Sequence, residues 1–223
     1  MAADVEVQSL FTVADGTAGN GYRMVGFPDG LGAFRQGENL VVYMNHELAA
    51  ERGIVRAHGE RGAFVSRLVL DPQTGRVKEG SDLIQDVSYW DYPGGAYADA
   101  PVPPPGAPVA VEGAHLPAFS RFCSGTLAPA GVLYDAESGA GWNQPLYFAN
   151  EEPATEGRVF LVDKDGHAQH LPRIGLFAYE NTVPADTGTT ARSWSATTTT
   201  CPARCACTPG PSSTTARRRT RPG

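Results

Sequence analysis

The run Asn39-Leu40-Val41-Val42-Tyr43-Met44 is apolar and β-branched, and it ends in Asn45-His46-Glu47, three polar side chains able to ligate a metal. A strand of this kind fixes position, and its end presents chemistry. Cys123, Glu151, Glu152 and Glu180 each follow or interrupt a later apolar run, so they read as further strands returning to the same place. A thiolate together with carboxylates makes a mixed site: the soft ligand suits iron or zinc, the hard ones iron or calcium.

Each residue also has a plainer reading. Glu47 reads equally as a ligand or as a solvated strand end. His46 reads best as a hydrogen-bond partner of a backbone carbonyl. A lone cysteine such as Cys123 is more often an inert buried thiol. Of the neighbours Glu151 and Glu152, strand alternation lets only one face a given site. His58, beside Gly59, suits a turn cap, and His167 and His170 flank a hairpin return and read as surface residues. Arg56 and Arg121 suit either a phosphate or a salt bridge.

The elements that must position these residues are short strands. Residues 4–14 alternate and predict a strand, and 63–71 alternate more clearly. Pro28-Asp29-Gly30 has the chemistry of a turn, because Pro presets φ and Gly accepts positive φ. Pro72-Gln73-Thr74-Gly75 and Lys164-Asp165-Gly166 read as hairpin turns. Strands are expected over 76–80, 82–87, 119–127, 144–152, 157–163 and 167–171, with 175–181 a strand ending in a carboxylate. Residues 91–117 form a Pro/Gly-rich loop long enough to suggest function or disorder. No strong helix is predicted. The recurrence of strand groups every 40–50 residues or so predicts an all-β chain, an incomplete β-propeller, with a sandwich as the competing architecture.

Composition narrows the function classes. The 223 residues are 41% hydrophobic and 19% charged, which is globular and sufficient for one core. A net charge of −6 argues against nucleic acid and is compatible with cations. No apolar stretch is long enough for a membrane span. No signal peptide is read at Met1, so the chain is expected to be cytosolic or to lack its start.

The tail differs in kind. From about Thr189 periodicity is lost, and Arg217-Arg218-Arg219-Thr220-Arg221 is foreign to an acidic chain. Reading each codon's third base with the next two, with G or C at third positions, turns residues 193–208 into Val-Val-Gly, an aspartate run and Leu-Pro-Gly-Gln-Val-Arg-Val-Tyr. That is strand, acidic turn and strand. A one-nucleotide frameshift between about Pro184 and Ser193 is therefore expected, with 189–223 a disordered, out-of-frame tail and 1–188 a partial propeller. Cys201, Cys205 and Cys207 are accordingly not read as a metal site.

With Asn45-His46-Glu47, Arg121-Phe122-Cys123-Ser124, Asn150-Glu151-Glu152 and Gly175-Leu176-Phe177-Ala178-Tyr179-Glu180-Asn181 in this order, the chain resembles the PhoX-type alkaline phosphatase family, the DUF839 group. Residues 20–34 and 55–66 are similar to a branch of that group found in secreted bacterial proteins, and the resemblance covers about residues 5–185. It implies a propeller of about six blades, a periplasmic or extracellular location, monomeric when full length, and a site holding iron and calcium that hydrolyses phosphomonoesters. By motif match it implies Glu47, Cys123, Glu152 and Glu180 as metal ligands; one division gives Glu47, Cys123 and Glu180 to iron and Glu152 with neighbouring carbonyls to calcium, and which ligand serves which metal stays open. The chain departs from the family pattern at Asn150, where a Cys is usual, at Tyr179, where a His is usual, and after Ser124, where the Gly-Gly-x-Thr-Pro-Trp stretch is replaced. The reading is thus a phosphomonoester hydrolase of which this chain is an inactive, incomplete fragment. The alternative is a secreted, calcium-stabilised binding module without catalysis.

Overall fold

The computed structural model describes residues 7–14, 16–102, 116–153 and 156–185, and the backbone of 193–198 and 205–206. These residues are all-β apart from one short 3-10 turn, Pro172–Ile174. The strands in chain order are β1 (Phe27–Gln36), β2 (Asn39–Glu47), β3 (Phe64–Leu70), β4 (Val77–Asp82), β5 (Asp86–Asp91), β6 (Ala96–Ala98), β7 (Phe122–Ala128), β8 (Leu133–Asp135), β9 (Ala140–Trp142), β10 (Leu146–Glu151), β11 (Val159–Val162), β12 (His167–His170), β13 (Tyr179–Ala185), β14 (Ser193–Thr198) and β15 (Cys205–Ala206). Among the described residues no helix is long and apolar enough to cross a membrane.

Three sheets carry the architecture. The first is an antiparallel meander, β1-β2-β3-β4. The second runs β7-β10-β11-β12 in antiparallel order and continues through a parallel step to β5 and then β6. The third is β13-β14-β15, and β8-β9 form a separate hairpin. The edge strands β1, β7 and β13 pack in that order, β1 on β7 and β7 on β13. The all-β architecture expected is present.

The apolar pattern explains the stacking. On β10 all six residues are buried, and its two faces serve two cores. Tyr147 and Ala149 join Val41, Tyr43 and Val65 of the first sheet, with Phe119, Phe122 and Phe160 beside them. Leu146 and Phe148 face the other way and pack with Tyr179 of the third sheet and with Ile174. A strand buried on both faces reads as a continuous apolar run, which is what Leu146-Tyr147-Phe148-Ala149 is. The outer face of the first sheet is covered by Ala18, Met24 and Tyr22 of the N-terminal segment.

The strands expected at 39–44, 63–71, 144–152 and 157–163 are all present, and both hairpin turns form, with Gly75 at φ 70° and Gly166 at φ 94°. Four readings need correction. Residues 7–14 are not a strand: they run along the surface, with Phe11 alone packing inward. Pro28-Asp29-Gly30 is not a turn but lies inside β1, where β2 pairs with it. Glu180 is the second residue of β13 rather than the end of a strand, because the chain bends at Leu176 and Phe177 and the strand begins only at Tyr179. His170 is buried, since β5 pairs alongside β12 and Phe160 and Tyr92 pack on its ring. The long loop contributes β6 and a hairpin at Asp91–Gly95, and 103–115 lie outside the described residues. Where an irregular tail was expected, the backbones of 193–198 and 205–206 are strands added to β13, whose edge offers free hydrogen-bonding groups. The remainder of the expected tail also lies outside the described residues.

Candidate metal centre

Three register breaks converge on one place. Between Pro28 and Leu31, β1 holds one residue more than β2 does between His46 and Met44, which puts Asp29-Gly30 in a bulge. Between Phe122 and Gly125, β7 holds one more than β10 does between Glu151 and Ala149, which puts Cys123-Ser124 in a second bulge. Between Tyr179 and Asn181, β13 holds one more than β14, and the extra residue is Glu180. A bulge re-aims a side chain out of the strand's alternation. Here three edge strands, β1, β7 and β13, each re-aim one metal-capable residue.

Asp29, Glu47 and Cys123 each offer one ligand atom, and these atoms lie within 4.8 Å of one another. The Cys123 thiol donates to Asp29 Oδ2 at 3.4 Å. Burial and then Asp29 push that thiol well above its ordinary pKa, so it is protonated while no cation is bound. Glu180 is also pushed up, by burial and then by the charges of Glu152, Asp29 and Glu47. Those influences place all four carboxylates in one neighbourhood.

One cation answers them. Arg121 Nε donates to Glu47 Oε1 at 2.9 Å, and its Nη2 donates to Glu152 Oε2 at 3.0 Å. Arg121 takes a left-handed backbone, φ 49°, which an L-residue adopts at a cost. Two backbone bonds hold it there: Arg121 N to Leu48 O at 2.8 Å, and Glu152 N to Arg121 O at 3.0 Å. One guanidinium against four carboxylates leaves the site short of positive charge.

The scaffold below is tightly drawn. A Cβ on Gly30 would stand 2.0 Å from Gly125 N, and one on Gly32 would stand 2.3 Å from Leu127 Cβ. Only glycine allows β1 and β7 to approach this closely. Asn45 Nδ2 donates to Ser124 O at 2.7 Å, and the Tyr147 hydroxyl donates to Gly30 O at 2.8 Å, with Asn45 Oδ1 at 3.0 Å. Asn45 is thus a brace between strands.

The other expected candidates separate into support and site. His46 is fully buried: Nδ1 donates to Val25 O at 2.7 Å, and Nε2 accepts from Ser66 Oγ at 2.6 Å. Burial lowers its pKa to about 4, so it is neutral and structural. Glu151 is fully buried with Arg158, while Glu152 is the member of the pair that reaches the site. Arg56 is paired with Asp82 at 3.3 Å and lies 3.4 Å over the Phe64 ring. Of the four expected ligands, Glu47 and Cys123 meet within ligand distance, and Glu152 and Glu180 border them. Asp29 was missed, because its neighbours Pro28 and Gly30 spell a turn. The signal that could have found it is a glycine and an acid interrupting an otherwise strand-like run that pairs with Asn39–Glu47.

Beside the cluster lies a cavity of about 740 Å3, lined by Phe27, Glu47, Leu48, Ala49, Arg52, Gly53 and Arg121. No protein-family profile, curated protein or solved structure matches this chain.

Proposed function

We propose that Asp29, Glu47 and Cys123 form a metal centre bordered by Glu152 and Glu180. We further propose that it serves the metal-dependent hydrolysis of phosphomonoesters, as in the PhoX-type phosphatases that the sequence resembles. In this reading the chain is the incomplete, metal-holding part of that machinery. The observation that carries the reading is the convergence of a thiol and two carboxylates within 4.8 Å, delivered by two bulged strands and a strand end.

The donor set fits the implied ions. Cys123 as thiolate, with Glu47 and Asp29, suits iron, and Glu152 and Glu180 offer the hard oxygens that calcium takes. When bound, such ions polarise a phosphate ester and activate an oxygen nucleophile. The chain's own residues do the rest. Glu47 and Asp29 hold the negative charge that draws a cation in. Cys123 gives up its proton on ligation. Arg121, fixed by its left-handed backbone, bridges Glu47 and Glu152 and has further N–H groups to offer an anion.

The test is calorimetric titration of the purified chain with ferrous iron and with calcium, with proton release followed in buffers of different ionisation enthalpy. Iron uptake with release of a proton from Cys123 is expected, tightening from pH 6 to pH 8. Cys123→Ser is expected to weaken iron by more than about tenfold, the lower end of what loss of a supporting ligand contact costs, and to leave calcium nearly unchanged. No iron uptake, or uptake indifferent to Cys123→Ser, would overturn the reading. A chain that binds calcium alone and hydrolyses no phosphomonoester would instead be a non-catalytic binding module.

A further inference from the structure

We infer that the cavity beside the metal centre is a leaving-group subsite, and that it selects esters whose alcohol is aromatic, with the Phe27 ring as its stacking wall. This rests on the phosphomonoester reading above and names the substrate class of that same site.

Position comes first. Phe27 is the cross-strand partner of Glu47, so the two side chains stand next to each other on one face of the β1-β2 pair. An ester phosphate held by Arg121 and by a cation on Glu47 would therefore have its alcohol beside the Phe27 ring. The bulge that re-aims Asp29 begins at the next residue, so ring and ligand are set by the same irregularity in β1.

Chemistry comes second. Phe27 is 71% exposed, an unusual position for a ring that the nearby core could have buried. The cavity's uncharged lining is Phe27, Leu48, Ala49 and Gly53, and its charged lining is Glu47, Arg121 and Arg52. Glu47 is also a member of the metal centre. The Arg52 side chain is 72% exposed and meets Glu51 at 3.4 Å. An apolar body with a charged end describes an aryl phosphate. A sugar or glycerol phosphate would find no hydrogen-bond partner in the Phe27 and Leu48 side chains, whereas an aromatic ring would gain apolar contact with both. The volume, about 740 Å3, lies within the range of small-molecule sites.

Rigidity comes third. Leu48 is enclosed between Gly26 and Gly53, where an added Cβ would stand 3.2 and 3.4 Å from its side chain. The far wall is a pinned turn: Arg52 N bonds to Ala49 O, Gly62 N to Arg52 O, and Arg61 Nη1 to Gly53 O at 2.6 Å. The cavity is therefore formed before anything binds, which keeps the ordering cost of binding low.

The experiment compares phenylphosphonate with methylphosphonate, two non-hydrolysable probes, by calorimetry on the metal-loaded full chain. Phenylphosphonate is expected to bind about tenfold more tightly, the size of an aromatic contact with its buried area. Phe27→Ala is expected to erase that preference while leaving metal affinity and methylphosphonate binding unchanged. Phe27→Tyr is expected to keep it. Because Phe27 is exposed, its truncation does not threaten folding. Equal affinity for the two probes, or a preference that survives Phe27→Ala, would overturn the subsite. Failure of metal loading would overturn the metal-centre reading and the subsite with it, and the metal titration run beforehand tells the two failures apart.

Discussion

Glu151 and Glu152 are neighbours in sequence with opposite duties, and a pair of isosteric substitutions separates them. Glu151 and Arg158 are both fully buried. Glu151 Oε1 accepts from Ser120 N at 2.9 Å and from Arg158 Nη2 at 2.8 Å, and Oε2 accepts from Arg158 N at 3.0 Å and Nε at 2.6 Å. Arg158 also donates to Leu116 O at 2.8 Å and to Ala118 O at 3.1 Å. The pair thus ties β10 and β11 to the segment that leads into Arg121 and Cys123. Glu151→Gln leaves the guanidinium buried without a counter-charge, which costs about 3–5 kcal/mol. That is a large part of a typical stability of about 5–15 kcal/mol. With a urea slope of about 2 kcal/mol/M, the midpoint should fall by about 2 M. Replacing both partners, Glu151→Leu with Arg158→Met, removes the charges but orphans two backbone N–H groups, those of residues 120 and 158, and the carbonyls of Leu116 and Ala118. It should recover about half of the loss.

Glu152→Gln should behave differently. Its partner Arg121 is 43% exposed, so the ion pair is worth about 1 kcal/mol or less. Removing the Glu152 charge also relieves Glu180 of the carboxylate that acts on it most strongly. Stability should hardly change, whereas calcium affinity should fall. Urea unfolding and calcium titration of the two variants decide the matter. Equal loss of stability in both, or calcium binding weakened only by Glu151→Gln, would refute the division of labour.

Two further predictions follow from the scaffold. Gly30→Ala should cost about 1–3 kcal/mol, because the new Cβ meets backbone 2.0 Å away and β1 must retreat from β7; metal affinity should fall with it, since Asp29 and Cys123 ride on those strands, and an unchanged melting temperature would contradict the close approach. Stability should rise with pH across roughly 4 to 6.5, because burial lowers His46 and His58 to about 4 and His170 to about 3. Below pH 6.5 the unfolded chain binds more protons than the fold, so stability is lost as pH falls through that window, by a few kcal/mol in all. Urea midpoints at pH 7, 5.5 and 4.5 check this, and a flat profile would refute it.

What the sequence made legible follows from which interactions are local. Leu146-Tyr147-Phe148-Ala149 announces a doubly buried strand, because both faces need apolar cover and no other residue type supplies it. Lys164-Asp165-Gly166 announces its hairpin, because Gly166 alone must adopt positive φ. The candidate site depends on relations that alternation cannot carry. A bulge is a mismatch between two strands, so it is a property of neither sequence alone. Asp29 looked like part of a turn because Pro-Asp-Gly satisfies turn chemistry locally. The constraint that keeps it in a strand is Gly30 pressed against Gly125, ninety-five residues later in the chain. Cys123 and Glu180 obey the same rule: each lies opposite a strand that is one residue shorter over that stretch. Glu47 was legible because it stands at a regular strand end; alternation said only that Glu151 and Glu152 must part, and the family resemblance, not the residues, chose Glu152. Of the three interrupted positions only Asp29 escaped the sequence: Cys123 and Glu180 were expected as ligands, Glu180 at a strand end rather than in a bulge. Two of the interrupted positions, at Asp29 and Cys123, lie beside the close approach of β1 and β7 at Gly30 and Gly125, so the constraint that hides the bulges from the sequence is the same contact that brings their side chains together.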